Sequence, residues 1–177
     1  MAFTDEDIKI YDGEEPVPTG LGAEDSAARY VAHRDNGNLE KTRQLGELLA
    51  QTLVGDAGRL AEDPYGQQKL VLLSFLISDE LEAALTDAML RQSAAAAFRR
   101  RVEELDPAIH GIITDSAAFT LYILHDRRVG NEECGQVLAN LCDRDSDETL
   151  IREGNALAEE YRGLFSGIIQ SYTFKEL

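Results

Sequence analysis

Between two helical stretches, the segment LCDRDSDETL at 141–150 places carboxylates on alternate residues, Asp143, Asp145 and Asp147. A loop that begins in this way can turn several oxygens onto a hard cation such as calcium. The position that needs glycine for the bend is Glu148, and the one that should supply a closing bidentate carboxylate is Gly154. Both the turn and two oxygens are therefore missing, and the expected role is a solvated loop that caps a helix. Imidazole and carboxylate also stand side by side at His125 and Asp126, and His33 could approach them from another helix to form a metal shell. His110 is a poor third ligand, because fifteen residues along one helix separate it from His125 by about 22 Å at ~1.5 Å per residue. A plainer role for His125, with Arg127 and Arg128, is to place positive charge at a helix C-terminus.

The aspartate spacing resembles the opening of an EF-hand, and the His125-Asp126 doublet resembles that of the HD-type metal phosphohydrolases. The second resemblance spans two residues and implies a helical metal-dependent hydrolase using His33, His125 and Asp126. A third, GNLEKTRQLGELLA at 37–50, is similar to the turn and second helix of a tetratricopeptide unit. It implies a helical hairpin, but the family's period of ~34 residues carries Gly37 to Val71, inside an apolar run. No array of repeats is expected.

The two cysteines, Cys134 and Cys142, are eight residues apart and too few for a disulfide framework or a cysteine-rich zinc site. Cys134 falls on the same stripe as Val137, Leu138 and Leu141, where a small apolar side chain packs well. Arg99, Arg100 and Arg101 form the one dense basic cluster, suited to an acidic partner or a phosphate, or simply to a solvated face. Dinucleotide, phosphate-loop, serine-hydrolase and zincin motifs do not occur, so no cofactor is expected.

The 177 residues carry a net charge of −16, with 33 acidic against 17 basic side chains. Such a surface repels phosphates, which argues against direct nucleic-acid binding and suits a basic partner or plain solubility. The charge is uneven. Residues 1–25 hold eight acids against Lys9, a net −7. Pro16, Pro18 and nearby glycines forbid a long helix there, so residues 1–22 read as an acidic extended arm. Phe3, Ile8, Ile10 and Tyr11 could pin the arm to its own body or to a partner. The longest apolar stretch, LVLLSFLI at 70–77, is too short to span a bilayer, and a cytoplasmic location is expected.

From Ala23 the pattern is helical, and residues 23–177 read as one all-α domain. A helix at 23–35 ends at Asp35-Asn36-Gly37, and Asn38 is expected to cap the next. A long helix at 66–92 carries Leu70, Leu73, Ile77, Leu81 and Leu85, its front half central in the core. Phe98, Val102 and Leu105 share the face of another helix, which Asp106-Pro107 stops while opening a helix over 107–126. A short helix follows Gly130-Asn131, and Asp145 with Glu148 would cap the last, at 147–172. Gly163 and Gly167 on that helix permit close backbone approach, and its broad apolar face leaves homodimerisation open.

The expected fold is a compact bundle of six or seven mostly antiparallel helices behind the arm. The expected function is a non-catalytic protein-interaction or regulatory module that recognises a helix or basic segment of a partner. Arg99, Arg100, Arg101, Ile8, Ile10 and Tyr11 are its candidate contacts. The alternatives are the HD-like hydrolase and an acidic mimic of nucleic acid that inhibits or neutralises another protein, which would need carboxylates along one face.

Overall fold

A computed structural model describes residues 23–60, 62–114, 118–129 and 134–177, with the side chains of 23–24 and 124–129 outside that part. The acidic arm at 1–22, including Ile8, Ile10 and Tyr11, also lies outside it. Eight helices succeed one another: α1 (Ala23–Asp35), α2 (Asn38–Leu60), α3 (Gly66–Ala84), α4 (Ala88–Leu105), α5 (Pro107–Thr114), α6 (Ala118–Val129), α7 (Cys134–Leu141) and α8 (Glu148–Gln170). No strand occurs among the described residues, and the helices pack together as a compact all-α fold.

The core forms around α3, in which every residue from Lys69 to Ile77 is buried. Its apolar side chains face outward on all sides, so only enclosure by other helices satisfies it. Helices α2, α4, α5, α6, α7 and α8 all pack on α3, whereas α1 rests mainly on α2. Each large aliphatic side chain buried in that run contributes about 2 kcal/mol of transfer free energy. Lys69, the charged member of the run, has its ammonium at the edge, paired with Asp63.

The helices depart from the expected boundaries at two places, and only the second adds one to the count. The helix expected at 66–92 breaks at Leu85–Asp87, because the Asp87 carboxylate accepts from the Met89 and Leu90 amides and starts a new helix there. The helix expected over 107–126 is two helices, α5 and α6. Its start is as anticipated, since Pro107 holds the first position and Asp106 accepts from the Ala108 and Ile109 amides.

Two pairs of helices meet unusually closely. A Cβ on Gly135 of α7 would lie 1.9 Å from the Ile151 carbonyl oxygen, and one on Gly154 of α8 would lie 2.7 Å from the Gly135 Cα. A Cβ on Gly46 of α2 would lie 2.4 Å from the Ala94 carbonyl oxygen, which explains why α4 turns Ala94 and Ala97 toward α2. Close approach was expected at Gly163 and Gly167 instead. Both are exposed, with open space where a Cβ would be. The apolar face of α8 is spent inside the chain through Leu150, Tyr161, Phe165 and Ile169, while Leu164 stays 42% exposed.

Candidate functional site

The described polar side chains converge where the end of α1, the start of α2 and the α3–α4 turn meet the C-terminal segment. His33 and Asn38 are 2% and 0% exposed. The Asn38 amide nitrogen donates to the Lys175 carbonyl oxygen at 2.8 Å, and its oxygen accepts from the Lys175 backbone N–H at 3.0 Å. That pairing fixes which end of the amide is the donor. Its second hydrogen faces His33 Nδ1 at 3.1 Å, so Nδ1 accepts and the ring hydrogen sits on Nε2. Nε2 in turn donates to Asp87 Oδ2 at 2.9 Å, an oxygen shared with Arg29. Burial pushes the Asp87 carboxyl up, but hydrogen bonds from His33, Arg29 and the two α4 amides outweigh it and hold the pKa at about 2.

This network corrects one sequence expectation. Asn38 does not cap α2 with its side chain; that amide points inward to His33 and Lys175, and the Asn38 N–H donates to Asn36 Oδ1. Sequence reasoning missed Asp87, although Thr-Asp ahead of Ala88-Met89-Leu90 is a capping signal. His33 was a candidate metal ligand, yet both its ring nitrogens are taken up by Asn38 and Asp87. His125 and Asp126 lie on α6 with side chains outside the described part. Among the described residues, no group of three His, Cys, Asp or Glu side chains is placed to hold a metal ion.

The Asp143–Asp147 loop ends one helix and begins another. The Arg144 N–H donates to the Ala139 carbonyl at 2.8 Å and the Asp143 N–H to the Asn140 carbonyl at 3.1 Å, the two bonds of a Schellman motif. Asp143 holds the left-handed position of that motif, with φ 55°. Asp147, not Asp145, caps α8: its Oδ1 accepts from the Thr149 and Leu150 amides, and its Oδ2 pairs with Arg144. The Leu150 amide is the main reason the Asp147 carboxyl lies below its usual range. The Arg144 guanidinium thus ties the start of α8 to the Tyr65 hydroxyl ahead of α3.

The arginine cluster is divided. Arg100 and Arg101 both pair with Glu104 on their own helix. Arg99 forms no ion pair or side-chain hydrogen bond among the described residues and lines the mouth of a cavity of about 310 Å³ between α3, α4, α5 and α6. Ile77, Phe98, Ile113 and Phe119 supply its apolar wall. Cys134 is buried in the core as its stripe implied, and burial raises the half-buried Cys142 thiol above its usual range.

No family model matches the chain, and neither a curated protein nor a solved structure matches it. Among the described residues no helix is long and apolar enough to cross a membrane.

Proposed function

We propose that this chain is a non-catalytic regulatory module that recognises a basic segment of a partner protein. The observation that carries this reading is the fate of His33, the one buried histidine among the described residues: both its nitrogens are used to join helices, leaving neither for a metal or a proton transfer. Asp87 and Asp147, the carboxylates with the clearest polar partners, are likewise committed to capping helices. What is left on the outside is a strong excess of negative charge, of −16 for the whole chain, which attracts cationic segments and speeds their encounter.

The nucleic-acid mimic has less support. Described carboxylates are dispersed over separate helices and many carry their own cation, as in Glu40 and Glu47 with Arg43, Asp63 with Lys69, and Asp79 with Arg162. An HD-like hydrolase would require His33 to surrender one of its two hydrogen bonds.

The test is fluorescence anisotropy of labelled amphipathic helical peptides, one rich in Lys and Arg and one with those positions made acidic. The basic peptide should bind, weaken as salt is raised, and outcompete its acidic counterpart. Equal binding of the two, or hydrolysis of a phosphate ester on adding manganese or zinc, would refute the reading.

A further inference from the structure

We infer that His33 and Asn38 form a proton-controlled latch on the segment 172–177. The latch holds that segment on the bundle while the imidazole is neutral and frees it when the ring takes up a second proton. The inference goes beyond recognition of a basic partner and does not depend on it.

Few contacts hold the segment. It is not helical from Tyr172 onward, and Tyr172 and Phe174 are half-buried against the core. Its polar anchors are the two bonds between Asn38 and the Lys175 backbone and one from the Lys41 ammonium to the Thr173 carbonyl. Between the segment and the α3–α4 turn lies a cleft of about 670 Å³, whose walls include His33, Leu85, Leu90, Tyr172 and Phe174. An element anchored so sparsely can leave while the remaining helices stay in place.

The orientation of Asn38 makes the anchor and the ring interdependent. Its nitrogen must donate to the Lys175 carbonyl and its oxygen must accept from the Lys175 N–H, so the remaining amide hydrogen points at His33 Nδ1, 3.1 Å away. A lone pair on Nδ1 accepts that hydrogen, whereas an N–H there would face another N–H. An imidazolium carries hydrogen on both nitrogens. It is accommodated only if the Asn38 amide turns over and presents its oxygen to Nδ1. Turned over, the amide sets oxygen against the Lys175 carbonyl and nitrogen against the Lys175 N–H, and both anchors fail together.

The described charged groups around the ring are Arg29 on α1, Asp87 on the α3–α4 turn, Lys41 on α2, and Lys175 and Glu176 on the segment, with Arg91 of α4 turned onto the Leu85 carbonyl. Asp87 favours a positive ring and Arg29, on the same carboxylate oxygen, opposes it. Both lie on the side of Nε2, which bears hydrogen in either form. The choice between docked and released therefore falls to Nδ1 and Asn38. The released arrangement binds one proton more than the docked one, so acid favours release. The ratio of released to docked chains rises by up to about tenfold for each pH unit below the titration of the ring.

The experiment follows the full chain by NMR from about pH 8 to about pH 5, the range in which histidine titrates. Long-range proton–nitrogen correlations of the His33 ring should show the Nε2–H form at the upper end. As the ring takes its second proton, the amides of Thr173, Phe174 and Lys175 should move to the shifts and fast motions of free chain on the same curve. Those of Leu70 to Ile77 should stay unchanged. His33→Gln can accept from Asn38 and donate to Asp87 but cannot bind a proton, so its segment should stay docked throughout. The curves of the parent chain decide the matter by themselves if that variant does not fold. Hydrogen on Nδ1 at the upper end, a ring still neutral at the lower end, a segment unmoved as the ring titrates, or equal release in His33→Gln would each overturn the assignment. So would simultaneous loss of the Leu70 to Ile77 signals, which marks unfolding of the whole chain.

Discussion

Asn38 grips Lys175 by both backbone groups, its amide nitrogen on the carbonyl oxygen at 2.8 Å and its oxygen on the N–H at 3.0 Å, across a sequence separation of 137 residues. One side-chain amide thereby acts as a single rung of a sheet between the start of α2 and the segment that follows α8. Lys41 reinforces it by donating to the Thr173 carbonyl.

Asn38→Ala should cost about 3 kcal/mol, because it removes these bonds and leaves His33 Nδ1 buried without a donor. The amides of residues 172–177 should lose hydrogen-exchange protection far more than those of α3. Uniform loss across the chain would show that the pairing does not hold the segment locally.

Glycine substitutions should change sign with position. Gly135→Ala and Gly154→Ala push a methyl into backbone at the α7–α8 crossing, and each should lower stability by about 2 kcal/mol or more. Gly163→Ala meets open space on the exposed side of α8 and should raise stability by about 0.5–1 kcal/mol through helix propensity. Denaturant midpoints of the three variants check the ordering.

Asp143→Gly should stabilise the chain by about 1 kcal/mol, since it relieves a non-glycine residue of φ 55° at the end of α7. A calcium-ligand role predicts instead that the same change abolishes a calcium-dependent rise in melting temperature. Melting curves with calcium and with chelator separate the two.

The Asp87 carboxyl lies at about 2 in the folded chain against an ordinary 3.8, so its contribution is present above 3.8 and is lost as pH falls toward 2. The difference corresponds to about 2 kcal/mol. Asp87→Asn keeps a capping oxygen but not the charge, and its stability should therefore fall less steeply than that of the parent chain across this acid window. Parallel slopes in pH-dependent unfolding would count against the His33–Asp87–Arg29 cluster as the cause.

Much of the architecture could be read from local pattern. The apolar run at 70–77, interrupted by Ser74 alone, marked the central helix, Asp106-Pro107 marked a boundary, and the Leu150-to-Ile169 stripe marked α8. The break at Asp87 was hidden because Leu81, Leu85 and Ala88 keep a helical step across it. Asn38 was misread because the residue it serves lies far away in sequence, and residue type alone favours the nearby cap. The cavity was illegible for a similar reason: four helices define it, and Arg99 differs from Arg100 and Arg101 only in what surrounds it. The two glycine crossings were likewise a matter of partners, since Gly163 and Gly135 look alike until the facing helix is known.

Because six helices lean on α3 while α1 leans chiefly on α2, the molecule cannot open by degrees around its centre. The amides of Leu70 to Ile77 can meet solvent deuterons only when the whole assembly comes apart, so their slowest exchange rates measure the global unfolding free energy directly. Those of α1 are free to exchange through a local fraying that leaves the remaining helices in place. The chain therefore carries its own two-point gauge, one end reporting cooperative collapse and the other reporting how firmly the His33 cluster clasps a peripheral helix.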